Sequence, residues 1–339
     1  MPLWTDVVTP AELTGYVRAA LGDYEQNRAT LGAFLPNNYV SDVVARLMTG
    51  GNGLPDTASF RAYDAETPIG KREGGSRKTI DLPPLGKKVR VSEYDQLRAR
   101  NADGPEEVRN AIEREAVRQA RAVADRMEQA RGQALTTGKV TIDENGLIAE
   151  ADFGRAAGHT VTAGTLWSAA GAAPFDDLET WESTYRTDNG ESPGAVVMSR
   201  RILNVLRGKL VGSGSITGRA TTDQVQQAFD DLGLGVIFVY DRLVRVAGTN
   251  TRVIADDTLV LVPAPVDPNS PDSTDLGAAV WGRTLESMDA SYAIEDAAQP
   301  GIVAGAYKDD DPLGVWVKAT GIGLPVLANP VLSFAAKVL

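Results

Sequence analysis

The sequence predicts an α+β fold in which a long two-stranded excursion and a long helix stand apart from any single compact core. Three observations carry this reading. Residues 59–100, SFRAYDAETPIGKREGGSRKTIDLPPLGKKVRVSEYDQLRAR, form two strand-like runs around a Gly-rich basic tip. A charged helical pattern with one narrow apolar stripe follows directly. Short helices and consecutive strands then make a compact α+β region up to about residue 262.

Taken in order, Thr9-Pro10-Ala11-Glu12 reads as a capping box with Pro at the first helical position, which starts a helix running towards residue 29. Leu35-Pro36-Asn37-Asn38 breaks the pattern, and residues 49–55 form a turn-rich loop, so the first fifty-odd residues resemble an arm more than a domain. Residues 59–65 and 79–94 suit strands. Pro83-Pro84 removes donors from the second run, which is therefore expected to be interrupted or on an edge.

Gly104-Pro105-Glu106-Glu107 opens the long helix with acids at its positive end, and the pattern continues to about Gln133. Val108, Ile112, Ala116, Ala120, Val123, Ala124, Met127 and Ala130 line one stripe, with Glu128 among the charges placed elsewhere on the cylinder. A hairpin is expected around Glu144-Asn145-Gly146. Helices are predicted over 176–186, 200–209 and 221–232, the last with Thr221 and Gln224 as a capping box. Strands are predicted over 195–198, 235–240, 243–246, 252–255 and 258–262, and again over 301–306, 315–319 and 331–338. The final strands are expected to pair with the hairpin that starts at Lys139.

At 339 residues the chain exceeds what one core usually organises, so two compact regions plus extensions are expected. An apolar fraction of 43% with 23% charged residues fits a folded protein rather than a disordered one. The net charge of −11 opposes direct binding of phosphate backbones. Without cysteine there is no disulfide framework, thiolate metal site or cysteine nucleophile. No leader pattern and no apolar run of about 18 residues is present, so the reading is a protein made and kept in the cytosol of its host, away from membranes.

No catalytic or cofactor-binding constellation emerges. His159, the only histidine, sits in a Gly-flanked loop and is expected at the surface, and no nucleophile elbow accompanies it. The 70–77 stretch lacks the Lys and Ser/Thr of a phosphate loop, and 212–218 lacks dinucleotide-site spacing. Asp309-Asp310-Asp311 offers carboxylates suited to a hard cation, but consecutive acids diverge and Pro312 follows, so a solvated turn is expected. The local charge reversal is Lys71, Arg72, Arg77 and Lys78 at the tip, with Lys87, Lys88 and Arg90 in the returning strand. In an acidic chain it suits electrostatic docking on another copy.

This order of parts resembles the major capsid proteins of tailed bacteriophages, the Hong-Kong-97-like fold, and more specifically the phage lambda major capsid protein E family. The resemblance is carried by Val91-Ser-Glu-Tyr-Asp-Gln-Leu-Arg-Ala-Arg100, Leu135-Thr-Thr-Gly-Lys-Val-Thr141, Gly164-Thr-Leu-Trp-Ser168 and Asp176-Asp-Leu-Glu179, in that order and spacing, over nearly the whole chain. It implies an N-terminal arm at 1–56, an extended E-loop at 57–101, a peripheral domain with the spine helix at 102–173 completed by 300–339, and an axial domain at 174–299.

It further implies no enzymatic activity and no cofactor. The subunit would assemble with itself as hexamers and pentamers into a procapsid and then a mature shell in the host cytoplasm. Partners would include scaffolding protein, portal, protease and in many cases a decoration protein, and double-stranded DNA would be enclosed without specific binding. Lys71, Arg72, Arg77 and Lys78 would make inter-subunit contacts, and Pro83 and Pro84 would be the bend of the loop. Some relatives in the wider fold crosslink a loop Lys to a neighbour's Asn; Lys71 or Lys78 could serve, but the reaction also needs a carboxylate in an apolar pocket, which the sequence does not show, and no crosslink is expected. Two alternatives stay open: an encapsulin-like nanocompartment shell, and a metal-dependent hydrolase using Asp309 and Asp311.

Overall fold

A computed structural model describes residues 8–49, 76–94, 97, 105–212, 220–268, 274–310 and 313–339. Helix α1 (Pro10–Gln26) starts at the expected capping box, with Thr9 and Glu12 bonded reciprocally. It is not part of a detached arm. Leu13, Val17 and Leu21 are buried, Thr14 Oγ1 bonds both main-chain groups of Ala304, and Arg18 donates to the carbonyls of Ala298 and Ile302.

Strand β1 (Asn37–Tyr39) follows, then β2 (Val44–Thr49), β3 (Ser76–Asp81) and β4 (Pro84–Val91). The expected strand at 59–65 lies outside the described residues. The partner of β3 is β2, which the sequence reading did not identify as a strand. The break between β3 and β4 falls at Leu82–Pro83. Beyond it, β4 is no excursion, for it pairs along β15 as an edge strand, a position that tolerates proline.

The long helix α2 (Pro105–Thr137) runs one turn further than expected and spans about 50 Å. Every residue of the predicted stripe is buried. Its N-terminal two-thirds and α1 pack on one face of a five-stranded sheet, through Ala304, Ala306, Val315, Val317 and Ala319. Burial of such a stripe outweighs intrinsic helix propensity as the source of stability. At the far end, half-buried Arg155 donates to the carbonyls of Leu135 and Thr136, capping the helix.

Strands β5 (Lys139–Glu144) and β6 (Leu147–Asp152) form the predicted hairpin, with Asn145 and Gly146 at φ 52° and 84° as a two-residue turn requires. It is a two-stranded sheet on its own, and the C-terminal strands pair elsewhere. Next come β7 (Thr160–Thr162), α3 (Pro174–Asn189), β8 (Ala195–Met198), α4 (Arg200–Gly212) and α5 (Thr222–Asp231), whose capping box is present. They are followed by β9 (Val236–Val239), β10 (Leu243–Val246), β11 (Thr249–Arg252) and β12 (Thr258–Val262). The third of these predicted strands begins earlier than expected because Ala247 and Gly248, both at positive φ, turn the chain at once.

The last elements are β13 (Gly277–Gly282), α6 (Leu285–Met288), β14 (Val303–Asp310), β15 (Leu313–Leu327) and β16 (Phe334–Lys337). One sheet runs β1-β13-β15-β14 with β4 also on β15, and the other runs β7-β16-β12-β8-β9. Pairing therefore crosses the segment limits given above: 277–282 joins 322–327, and 334–337 joins 258–261. The C-terminal third of α2 enters the core of the second sheet through Ala130, Ala134 and Leu135.

Candidate functional site

Of the cations expected at an interface, Lys71 and Arg72 lie outside the described residues. Arg77 stands opposite Met48 and Lys78 opposite Leu47 in the β2–β3 ribbon. Lys78 Nζ donates to the main-chain carbonyl of Asp152 at 3.3 Å, tying the ribbon to the β5–β6 hairpin. Pro83 and Pro84 form the wall shared by two clefts of about 440 and 580 Å³, together with Ile142, Leu147 and Leu324.

Alternation along β4 divides its cations between two faces. Lys87 is on the α2 side, in the cleft with Arg126 and Met127. Lys88 and Arg90 are on the other face, opposite Lys318 and Trp316. Lys88 Nζ lies 4.9 Å above the Trp316 ring, which stacks on Tyr307 and donates its indole N–H to Asp309. Lys318 bonds Glu286; burial acts to raise the Glu286 carboxyl, but this hydrogen bond holds it below the usual range. Asp309 and Asp310 are thus strand residues rather than a solvated turn, and Asp311 lies outside the described residues.

A second constellation was not legible in the sequence. Glu128, expected on the polar side of the long helix, is 1% exposed. Its carboxylate accepts from Tyr240 Oη at 2.7 Å, Leu31 N at 2.8 Å, Thr30 Oγ1 at 3.0 Å and Arg131 Nη1 at 3.1 Å, with Arg242 Nη1 at 3.4 Å. Arg131, also buried, reaches on to Asn37 Oδ1, which also accepts from the Trp281 indole. Burial acts to raise the Glu128 carboxyl, yet Arg131, Arg242 and the hydrogen bonds outweigh it and hold it below the ordinary range. The network joins the segment after α1, the long helix, the loop between β9 and β10, and both sheets. It has the form of a joint, not of a reaction centre, since every oxygen of Glu128 is occupied by the chain itself.

His159 is fully buried, not at the surface. The turn at 157–159 tucks the ring against Phe334, and Nε2 lies 2.8 Å from Asp188 Oδ2. Among the described residues no three His, Asp or Glu side chains cluster to hold a metal, and no helix is long and apolar enough to cross a membrane.

The two short motifs at 164–168 and 176–179 meet in space. Trp167 is fully buried, stacks on Trp181 at 5.8 Å and donates its indole N–H to Asp177 Oδ2 at 2.8 Å. In this chain the two motifs are complementary: one supplies the ring, the other its acceptor.

The family model of phage major capsid protein E matches residues 47–338. No curated protein matches the sequence. Among solved structures, the fold is similar to that of a protein assigned as the capsid protein of an E. coli CFT073 prophage, at TM-score 0.66 and 18% identity over 98% of this chain and 99% of that one. It is also similar to a phage-related protein from Bordetella bronchiseptica RB50, at TM-score 0.61 and 16% identity over 96% and 95%. A virus-like particle from Pyrococcus furiosus follows at TM-score 0.50 and 13% identity over 96% and 99%. At such identities the likeness is one of fold.

Proposed function

The chain belongs to the phage major capsid protein E family, and from that membership we propose how this capsid shell protein builds its particle. Copies assemble as hexamers and pentamers into a procapsid in the host cytoplasm, around scaffolding protein and with a portal at one vertex. The shell then expands around double-stranded DNA and accepts a decoration protein where one is encoded. The role is structural, without catalysis.

The observation that carries this reading is the family match over 47–338. The α+β architecture supports it. A helix of about 50 Å laid across a sheet, with a ribbon paired from Val44–Asp81 to Thr49–Ser76 leaving it, suits a flat subunit that overlaps its neighbours. The negative net charge suits a wall that must not adhere to packaged duplex.

Within the shell, residues 1–56 serve as the N-terminal arm, though 8–39 also contribute to the core, and 57–101 as the extended loop, whose returning part, 84–91, pairs into the sheet. The peripheral domain is 102–173 with 300–339, and the axial domain is 174–299. Lys71, Arg72, Arg77 and Lys78 meet the acidic surface of an adjacent subunit, and the loop turns at Pro83 and Pro84 when the shell expands. Deleting residues 70–78 tests this: circular dichroism and sedimentation should show folded subunits that make no stable shells. Shells of normal mass from the deleted chain would contradict the assignment.

A further inference from the structure

The β5–β6 hairpin packs one face on its own subunit through Val140, Ile142 and Ala151 and leaves the other face uncovered. It forms a two-stranded sheet of its own, and such a hairpin is marginal in water unless it packs on something. Near its tip Ile148 is 79% exposed on the uncovered face, whereas Leu147, on the opposite face, lines the clefts against Pro83 and Leu324. Asp143, Glu150 and Asp152 flank Ile148 on that face with exposed carboxylates. The tip is tied to its own subunit, Glu144 pairing with Arg126 of the long helix at 3.0 Å, and Lys139 and Glu150 pair across the hairpin at 3.4 Å. The result is a prong with an apolar point and acidic sides, held in place before any partner arrives.

The same chain carries the complementary surface. Arg200 and Arg201 open α4 and, with Val205 and Arg252, line an open cleft of about 670 Å³. Leu243, 55% exposed, stands directly opposite Arg252 in the β10–β11 hairpin, and Arg245 lies two residues along on the same exposed face. Three arginines therefore line the cleft, and Leu243 and Arg245 adjoin it on the face that carries Arg252, in a chain whose net charge is −11. Asp241 and Asp256 take part of this charge through pairs with Arg252 and Arg201 at 2.8 and 3.3 Å, leaving the cleft net positive. A free phosphate would use the arginines and leave Leu243 wet, whereas an acidic prong with an apolar point satisfies both.

Resting on the shell reading above, we propose that the β5–β6 prong of one subunit docks in the arginine cleft of a neighbouring copy. The occupant is a second copy because prong and cleft match in charge and each bring an exposed apolar residue, and acidic tips would repel one another in a tip-to-tip contact. A contact between different patches of identical chains is heterologous and repeats from subunit to subunit, closing into rings. It also supplies the local attraction that subunits of like net charge need in order to meet.

The chain has no cysteine, so an Ile148→Cys, Leu243→Cys double variant reads the contact directly. In assembled particles under oxidising conditions it should form disulfide-linked ladders on non-reducing gels, and neither single variant should. In parallel, Ile148→Lys should leave the unfolding midpoint of the subunit unchanged, because the site is exposed, and lower the particle yield at least tenfold. Native shells together with an Ile148→Lys variant that assembles at native yield, or a double variant that assembles without a ladder, would overturn the docking and leave the shell reading intact. A native chain that forms no shells would overturn both.

Discussion

Tyr240 donates its hydroxyl to Glu128 Oε1 across 2.7 Å, joining residues 112 apart in the chain at a site from which water is excluded. A buried carboxylate with this many donors is costly to break, since removing one partner strands the others. Tyr240→Phe removes a single bond to a charged acceptor and should cost about 1.5–3 kcal/mol. Glu128→Ala leaves buried Arg131 with only its longer pair to Glu25, at 3.5 Å, and should cost about 3 kcal/mol. Urea unfolding of unassembled subunits measures both, and losses below about 0.5 kcal/mol for Glu128→Ala would show that the joint contributes little.

The same network predicts acid sensitivity with a definite sign. In the unfolded chain the Glu128 carboxyl titrates near its ordinary value of 4.5, and in the fold it lies lower. The stabilisation is therefore complete above the unfolded value and is lost as pH falls through the folded one. Glu128→Gln lacks this dependence, so the stability gap between native and variant subunits should narrow on acidification below about pH 4.5. A gap that stays constant or widens would contradict the arrangement.

Trp167 and Asp177 form the second testable pair. Asp177→Ala orphans a buried indole N–H and should destabilise by about 1–3 kcal/mol, with a change in tryptophan fluorescence. An unchanged emission spectrum and midpoint would show that the ring is held by packing alone.

Gly132 marks where the long helix and the segment after β11 come closest, for a Cβ there would lie 2.6 Å from both Val253 Cγ1 and its carbonyl oxygen. Gly132→Ala should destabilise by about 1–3 kcal/mol despite its better helix propensity. A more stable variant would mean that the two elements separate freely.

What the sequence disclosed follows the range of the forces involved. The apolar stripe of the long helix, the capping boxes at Thr9 and Thr221 and the Asn145-Gly146 turn are local, and each was legible. β13 was missed because Gly277-Ala-Ala-Val-Trp-Gly282 is buried throughout and so shows no alternation. The partners of β3, β4 and β16 were missed or misplaced because long-range pairing leaves no local mark. Glu128 and His159 were read by residue type, as exposed, whereas partners far along the chain set their burial. The arginine cleft joins Arg200 and Arg201 to residues four dozen positions away, and only the fold brings them together.

The central claim is tested most directly by electron microscopy of the purified chain, alone and with a co-expressed scaffold. Closed icosahedral shells are the predicted result. Small, irregular species under every assembly condition would contradict it.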